Sequence, residues 1–138
     1  MNTLPATEKK RRIALAQNAK LLVLSTLPIE DDTEMGLMMG YKGFLLRVDF
    51  SFLHPLIVIT FLAELEYPVL PKSLQLLNSL NQQCVLGCAA VNTEANVFSY
   101  RAASWLDTEL TKRRFHEMLD RCYDEAYRAH SQLSRSLK

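Results

Sequence analysis

The sequence predicts an α+β domain in which helices pack against a five-stranded antiparallel sheet, in the order α-β-β-β-α-β-β-α. Three observations carry that expectation. Phe44, Leu46, Val48, Phe50 and Phe52 alternate with Leu45, Arg47, Asp49 and Ser51, the period of two of a strand with one buried face. Ser73, Leu76, Leu77, Leu80 and Cys84 recur at helical spacing, after which the period switches to two across residues 84–103. Phe115, Met118, Leu119, Cys122, Ala126, Ala129, Leu133 and Leu137 then sustain a helical stripe to the end of the chain.

A first helix is expected over about residues 5–24, capped by Thr3 or a neighbour with Pro5 near its first turn. It presents Ile13, Ala16, Ala19, Val23 and Leu27 to one side. Its early turns hold Lys9, Lys10, Arg11 and Arg12, and cations there oppose the helix macrodipole, so local stability does not explain them. They suit contact with an acidic surface, a phosphate or a membrane headgroup, or else a solvated amphipathic start. Residues 28–34 read as a solvated acidic loop, with no ligand-spaced histidine beside it. Residues 35–41 form a weak strand interrupted by Gly36 and Gly40, and a turn through Lys42 and Gly43 leads into the strand at 44–52. His54 and Pro55 make the next turn, and the apolar run 56–65 suits a central strand covered on both faces. Pro71 suits the first turn of the middle helix, whose outer positions Gln75, Asn78, Ser79 and Gln82 carry no charge. Either a partner covers that side or it is a polar exposed face. Turn chemistry at residues 92–96 joins the last two strands, and the final helix begins near Thr111. On that helix Arg113–Glu117, Glu117–Arg121, Arg121–Glu125 and Asp124–Arg128 are spaced as i, i+4 ion pairs. His116, Tyr123, Tyr127 and His130 form an aromatic edge beside its stripe, suited to a contact surface or to the rim of the core.

The 138 residues suffice for one domain with a real core. With 49% hydrophobic and 22% charged residues, the composition is that of a globular protein. The formal net charge of +1 is unevenly distributed: the terminal helices are basic and the middle of the chain is acidic. That asymmetry is too mild to require nucleic acid. Three cysteines, Cys84, Cys88 and Cys122, match no disulfide framework or common zinc spacing and are expected as free thiols. No apolar stretch is long enough for a membrane span, and the polar, basic N-terminus is unlike a signal peptide, so a reducing cytoplasm is the expected setting.

No phosphate-binding glycine loop, metalloprotease helix or nucleophile elbow is present. Cys122 and His116 fall on roughly opposite sides of a helix, and His130 lies about two turns beyond Cys122, so neither pair is a ready dyad. No enzyme, cofactor or metal centre is therefore expected. An extended partner segment could add to the edge of the weak strand at Met35 and Leu37. It could also lie on the face carrying Leu45, Arg47, Asp49 and Ser51, beside Gly87, Ala89 and Val91.

The helix LQLLNSLN leading to a strand, followed by SYRAASWLDTELTKRRFHEML, resembles the YbjN-type sensory transduction regulator domain, which shares its architecture with the type III secretion chaperones. The resemblance spans roughly residues 37–133 and is strongest over 74–119. Leu74, Leu77, Asn78, Leu80 and Asn81 match the family's middle helix, and Leu110, Thr111 and Phe115 match the start of its last helix. The resemblance implies a homodimer built on the middle helix and adjacent strand, and an unidentified client protein held on an apolar surface. Leu74, Gln75, Leu77, Asn78 and Asn81, with Met35 and Leu37, are then the expected dimer and partner surface. Lys9, Lys10, Arg11 and Arg12 are the candidate anion contact. The chain departs from the secretion chaperones in being near neutral where they are strongly acidic, which favours a relative with a different client.

Overall fold

The sheet of the computed structural model, which describes residues 4–51 and 54–138, has six strands in the order β1-β2-β3-β4-β6-β5, every neighbouring pair antiparallel. The strands are β1 (Asp31–Thr33), β2 (Gly36–Tyr41), β3 (Phe44–Ser51), β4 (Leu56–Glu64), β5 (Gly87–Asn92) and β6 (Val97–Trp105). The helices are α1 (Ala6–Thr26), α2 (Pro71–Gln83) and α3 (Lys112–Ser136). Thr3, a candidate cap, and Phe52, in the β3 alternation, lie outside the described residues.

The strand missing from the sequence expectation is β1, inside the acidic loop. All three of its residues are exposed, so it lacks the apolar alternation by which strands are read. It is held by backbone pairing, Asp31 to Met38 and Thr33 to Gly36. β2 follows as a continuous strand in spite of its glycines. The β2–β3 turn places both Lys42 and Gly43 at positive φ, the tight hairpin geometry that matches the right-handed twist of the strands.

A single core lies between the sheet and the three helices. From the strands it takes Leu37, Leu46, Val48, Ile57, Ile59, Phe61, Phe98 and Tyr100, and from the helices Val23, Leu77, Leu80, Phe115, Leu119, Ala126 and Leu133. The alternation predicted for β3 holds, with Phe44, Leu46 and Val48 buried and Leu45 exposed. The α3 stripe is buried throughout except at Met118, which is partly covered. On α1, Ala16, Ala19 and Val23 are buried, while Ile13 remains exposed. His130 packs between Phe44 and Phe98, and Tyr123 lies against Tyr41, Phe44 and Phe61, so this part of the aromatic edge rims the core. Tyr127 and His116 point outward.

With the helices on one side, the opposite face of the sheet carries no described helix, although Val58 and Thr60 at its centre are buried. By register it carries Leu45, Arg47 and Asp49 of β3 opposite Leu62, Thr60 and Val58 of β4, which are followed by Ser99, Arg101 and Ala103 of β6. Gly87, Ala89 and Val91 were expected beside that face, yet they lie on the helix side. Ala89 pairs with buried Tyr100 and is itself buried, and the open face of β5 is formed by Cys88 and Ala90.

Candidate partner-binding surfaces

The predicted partner residues of α2 divide into two sets. Leu74, Gln75 and Asn78 are exposed, Leu74 at 45%. Leu77 is buried in the core, and Asn81 is committed internally. The Asn81 amide donates to Ala89 O at 2.9 Å and accepts from Ala89 N–H at 2.7 Å, fastening the end of α2 to β5. The outward side of α2 is therefore smaller than predicted, and it continues into an apolar loop in which Val85 is 87% exposed and Leu86 is also exposed.

Glu125 of α3 holds that loop. Its carboxylate accepts the backbone N–H groups of Val85 (2.6 Å), Leu86 (3.2 Å) and Gly87 (3.2 Å), and the hydroxyl of Tyr100 donates to it as well. Partial burial pushes this carboxyl up, but the Tyr100 hydroxyl and the three N–H donors outweigh it and hold the group below the usual carboxylate range. The same setting raises the Tyr100 phenol well above its ordinary value, through desolvation first and the Glu125 bond second. Gly87 is required here, because a Cβ would collide with Arg101 O and the Tyr100 ring. Spacing suggested Glu125 as the partner of Arg121, and nothing in the local sequence signals donors some forty residues earlier. Of the four predicted α3 ion pairs, Glu117–Arg121 forms, at 2.9 Å.

The edge expected at Met35 and Leu37 is occupied differently from the prediction. Met35 is exposed, but Leu37 is 1% exposed and belongs to the core. β1 pairs along the outer edge of β2, Glu30 N–H bonds Met38 O, and the Glu30 carboxylate accepts Gly40 N–H. A short acidic strand is a natural way to blunt a sheet edge against unwanted pairing. Arg11 and Arg12 are drawn to Glu8, at 3.2 and 3.0 Å, while Lys9 and Lys10 are exposed. Arg11 also donates to Asp107 O, which ties the start of α1 to the segment leading into α3.

On the bare sheet face Leu45 and Trp105 are exposed, and Arg47 pairs with Asp49 at 3.4 Å. The Thr60 hydroxyl at its centre is buried without a hydrogen-bond partner. Cys88 is exposed and Cys84 partly covered; Cys122 is buried, its thiol pushed by burial up to about 11. All three are free thiols, and no cluster of three or more His, Cys, Asp or Glu ligands occurs among the described residues. No described helix is long and apolar enough to cross a membrane.

A helix-backed antiparallel sheet, with no described helix on its other face and flanked by a middle helix whose one charged residue is Lys72, defines the structural class. The fold is that of YbjN and of the type III secretion chaperones. No family model and no curated protein matches the sequence. Among solved structures, the chain superposes on the ExsC–ExsE complex with a TM-score of 0.62 at 14% identity, covering 94% of this chain and 95% of the other. It superposes on the proposed transcription regulator YbjN from E. coli with a TM-score of 0.60 at 12% identity, covering 87% and 89%. A third similar structure is the Yersinia pestis type III secretion chaperone SycH in complex with a fragment of YscM2, with a TM-score of 0.55 at 13% identity, covering 83% and 98%.

Proposed function

We propose that the chain is a non-enzymatic protein-binding module, chaperone-like or regulatory, that holds a segment of a partner protein on an apolar surface and acts as a homodimer. The observation that carries this reading is the one-sided architecture. All three helices cover one face of the sheet, while Leu45 and Trp105 on the other, and Leu74, Val85 and Leu86 around α2, stay in water. Exposed apolar surface of this kind, set among polar residues, marks interaction sites. The ExsC and SycH structures are complexes with partner proteins, which supports the same use of the fold here. Affinity capture from the native host, with cross-links mapped by mass spectrometry, tests the reading. A defined partner cross-linked to the bare sheet face or to α2 is expected. Failure to retain any protein contradicts it.

The dimer reading rests on the outward side of α2, which beyond Lys72 in its first turn carries no charge. Light scattering is expected to give about twice the 15.8 kDa chain mass. Leu74→Glu places a charge on that side and should yield monomers, whereas Glu94→Lys in the β5–β6 turn should leave the dimer intact. A wild-type monomer at micromolar concentration removes this part of the proposal.

A second reading, an anion- or nucleic-acid-binding regulator, draws on the Arg11–Asp107 contact, which brings the basic start of α1 toward the basic first turn of α3. Retention on heparin that falls steeply with salt would favour it, because phosphate contacts release counterions.

A further inference from the structure

β6 is longer than β5, and the difference leaves a free edge. β5 pairs with β6 only as far as Gly87 opposite Ala102, whereas β4 accompanies β6 to Leu56 opposite Trp105. Among the described residues, 103–105 are thus paired on one side alone. Leu106 N–H bonds Pro55 O on the β4 side, so the alternation of an antiparallel strand turns the N–H and C=O groups of Ala103 and Trp105 the other way. Leu86 would be the next partner if β5 continued. Glu125 has instead taken the N–H groups of Val85, Leu86 and Gly87 and drawn that chain toward α3.

The space left behind is a groove of about 260 Å³ between this edge and the first half of α3. Leu86, Ala102, Met118 and Cys122 make it apolar, and Arg114, Glu117 and Arg121 are its charged lining residues, a net positive set. Arg121 is paired with Glu117, but no carboxylate among the described residues lies within ion-pair distance of Lys112, Arg113 or Arg114. These three cations sit in the first turn of α3, where the helix dipole adds to their field.

We propose that this groove takes an extended, apolar protein segment bearing carboxylates, added as a strand along residues 103–105. The proposal deepens the protein-binding reading and rests on it. The backbone edge supplies up to four hydrogen bonds in the pattern of strand addition. Alternate side chains of the segment enter the apolar groove, and its carboxylates meet Arg114 and the turn around it. A helical or a basic partner would waste the edge in one case and face repulsion in the other.

The probe is a short fluorescent peptide of alternating leucine and threonine with two aspartates at each end, so that its carboxylates can reach Arg114 while the leucines fill the groove, titrated by anisotropy. Saturable binding is expected, lost when lysine replaces aspartate. Methylating the peptide nitrogens on one alternate set should abolish binding, and methylating the other set should leave it unchanged. Arg114→Glu should weaken binding roughly tenfold or more, the scale of one charge-assisted bond. Ala103→Pro removes an N–H that β4 does not use, so it should abolish binding while the circular dichroism and melting temperature stay near wild type. Equal tolerance of both methylation patterns, no response to Arg114→Glu, or no binding of the aspartate peptide overturns the proposal. If Arg114→Glu instead converts dimers to monomers, the groove belongs to a second copy and the proposal is wrong. A host partner cross-linked only to the bare sheet face or α2 also overturns the groove while preserving the protein-binding reading. Loss of every partner overturns both.

Discussion

At the scale of single residues, two buried or half-buried titratable groups make the fold sensitive to acid in successive windows. Burial among aromatic rings lowers His130 from its ordinary 6.5, so the folded state prefers it neutral. Glu125 is held below its ordinary 4.5 because the folded state supplies donors to the charged form. Both folded values are depressed. Each contribution is therefore complete above the unfolded value and is lost as pH falls through the folded one. Denaturant midpoints should fall in two stages, the first beginning near pH 6.5 and the second near 4.5. His130→Phe should flatten the first stage. Glu125→Gln should flatten the second and cost about 1.5–3 kcal/mol at neutral pH, the usual scale for hydrogen bonds to a charged group. A midpoint independent of pH between 7 and about 4 would contradict the assignment. His130 was legible as one of two choices, contact surface or core rim. Glu125 was not legible, because helical spacing sees Arg121 four residues away and is blind to Val85, Leu86 and Gly87.

At the scale of elements, legibility follows burial. The α3 stripe and the β3 alternation could be read because each element buries one face against the core, which forces apolar residues into the matching period. β1 buries nothing and pairs only through its backbone, so it left no such trace. The role of Gly87 was equally hidden, since glycine at a strand start reads as turn chemistry. Its actual constraints are the Arg101 carbonyl oxygen across the pair and the Tyr100 phenol, which reaches Glu125. Gly87→Ala must displace both the β6 backbone at Arg101 and that ring. The expected cost is about 2–3 kcal/mol, in the range for overpacking a well-packed site. The paired variant Tyr100→Phe with Gly87→Ala should be slightly less than additive, because the hydroxyl contact is already gone while the ring and the Arg101 carbonyl stay in place. Chemical denaturation of the four proteins of the cycle reads this directly, and strict additivity would assign the clash to the Arg101 carbonyl and the ring rather than to the hydroxyl.

For the whole molecule, the fold class was legible and the positions of its working surfaces were only partly so. Counting strands and helices from periodicity gave the layer order, but which side of a strand meets water depends on register, and local spacing does not fix register for a strand of small residues such as β5. Leu37 shows the consequence. It was expected on an open edge beside Met35, whereas its side chain lies in the core and the edge is closed by β1. Leu45, two strands in from that edge, faces water from the bare side of the sheet. The two leucines therefore separate stability from binding. Leu37→Asp buries a carboxylate without a partner and should destabilise the fold by about 4 kcal/mol or more, enough to unfold a domain of ordinary stability. Leu45→Glu only adds a charge to an exposed face and should shift stability by less than about 0.5 kcal/mol. If the bare face holds a partner segment, that same Leu45→Glu should sharply reduce capture of the partner identified by cross-linking. Thermal melts and capture measured on the same two variants decide the point. A Leu45→Glu protein that melts like wild type and still captures its partner fully removes the bare face from the binding surface, leaving α2 and the β6 groove.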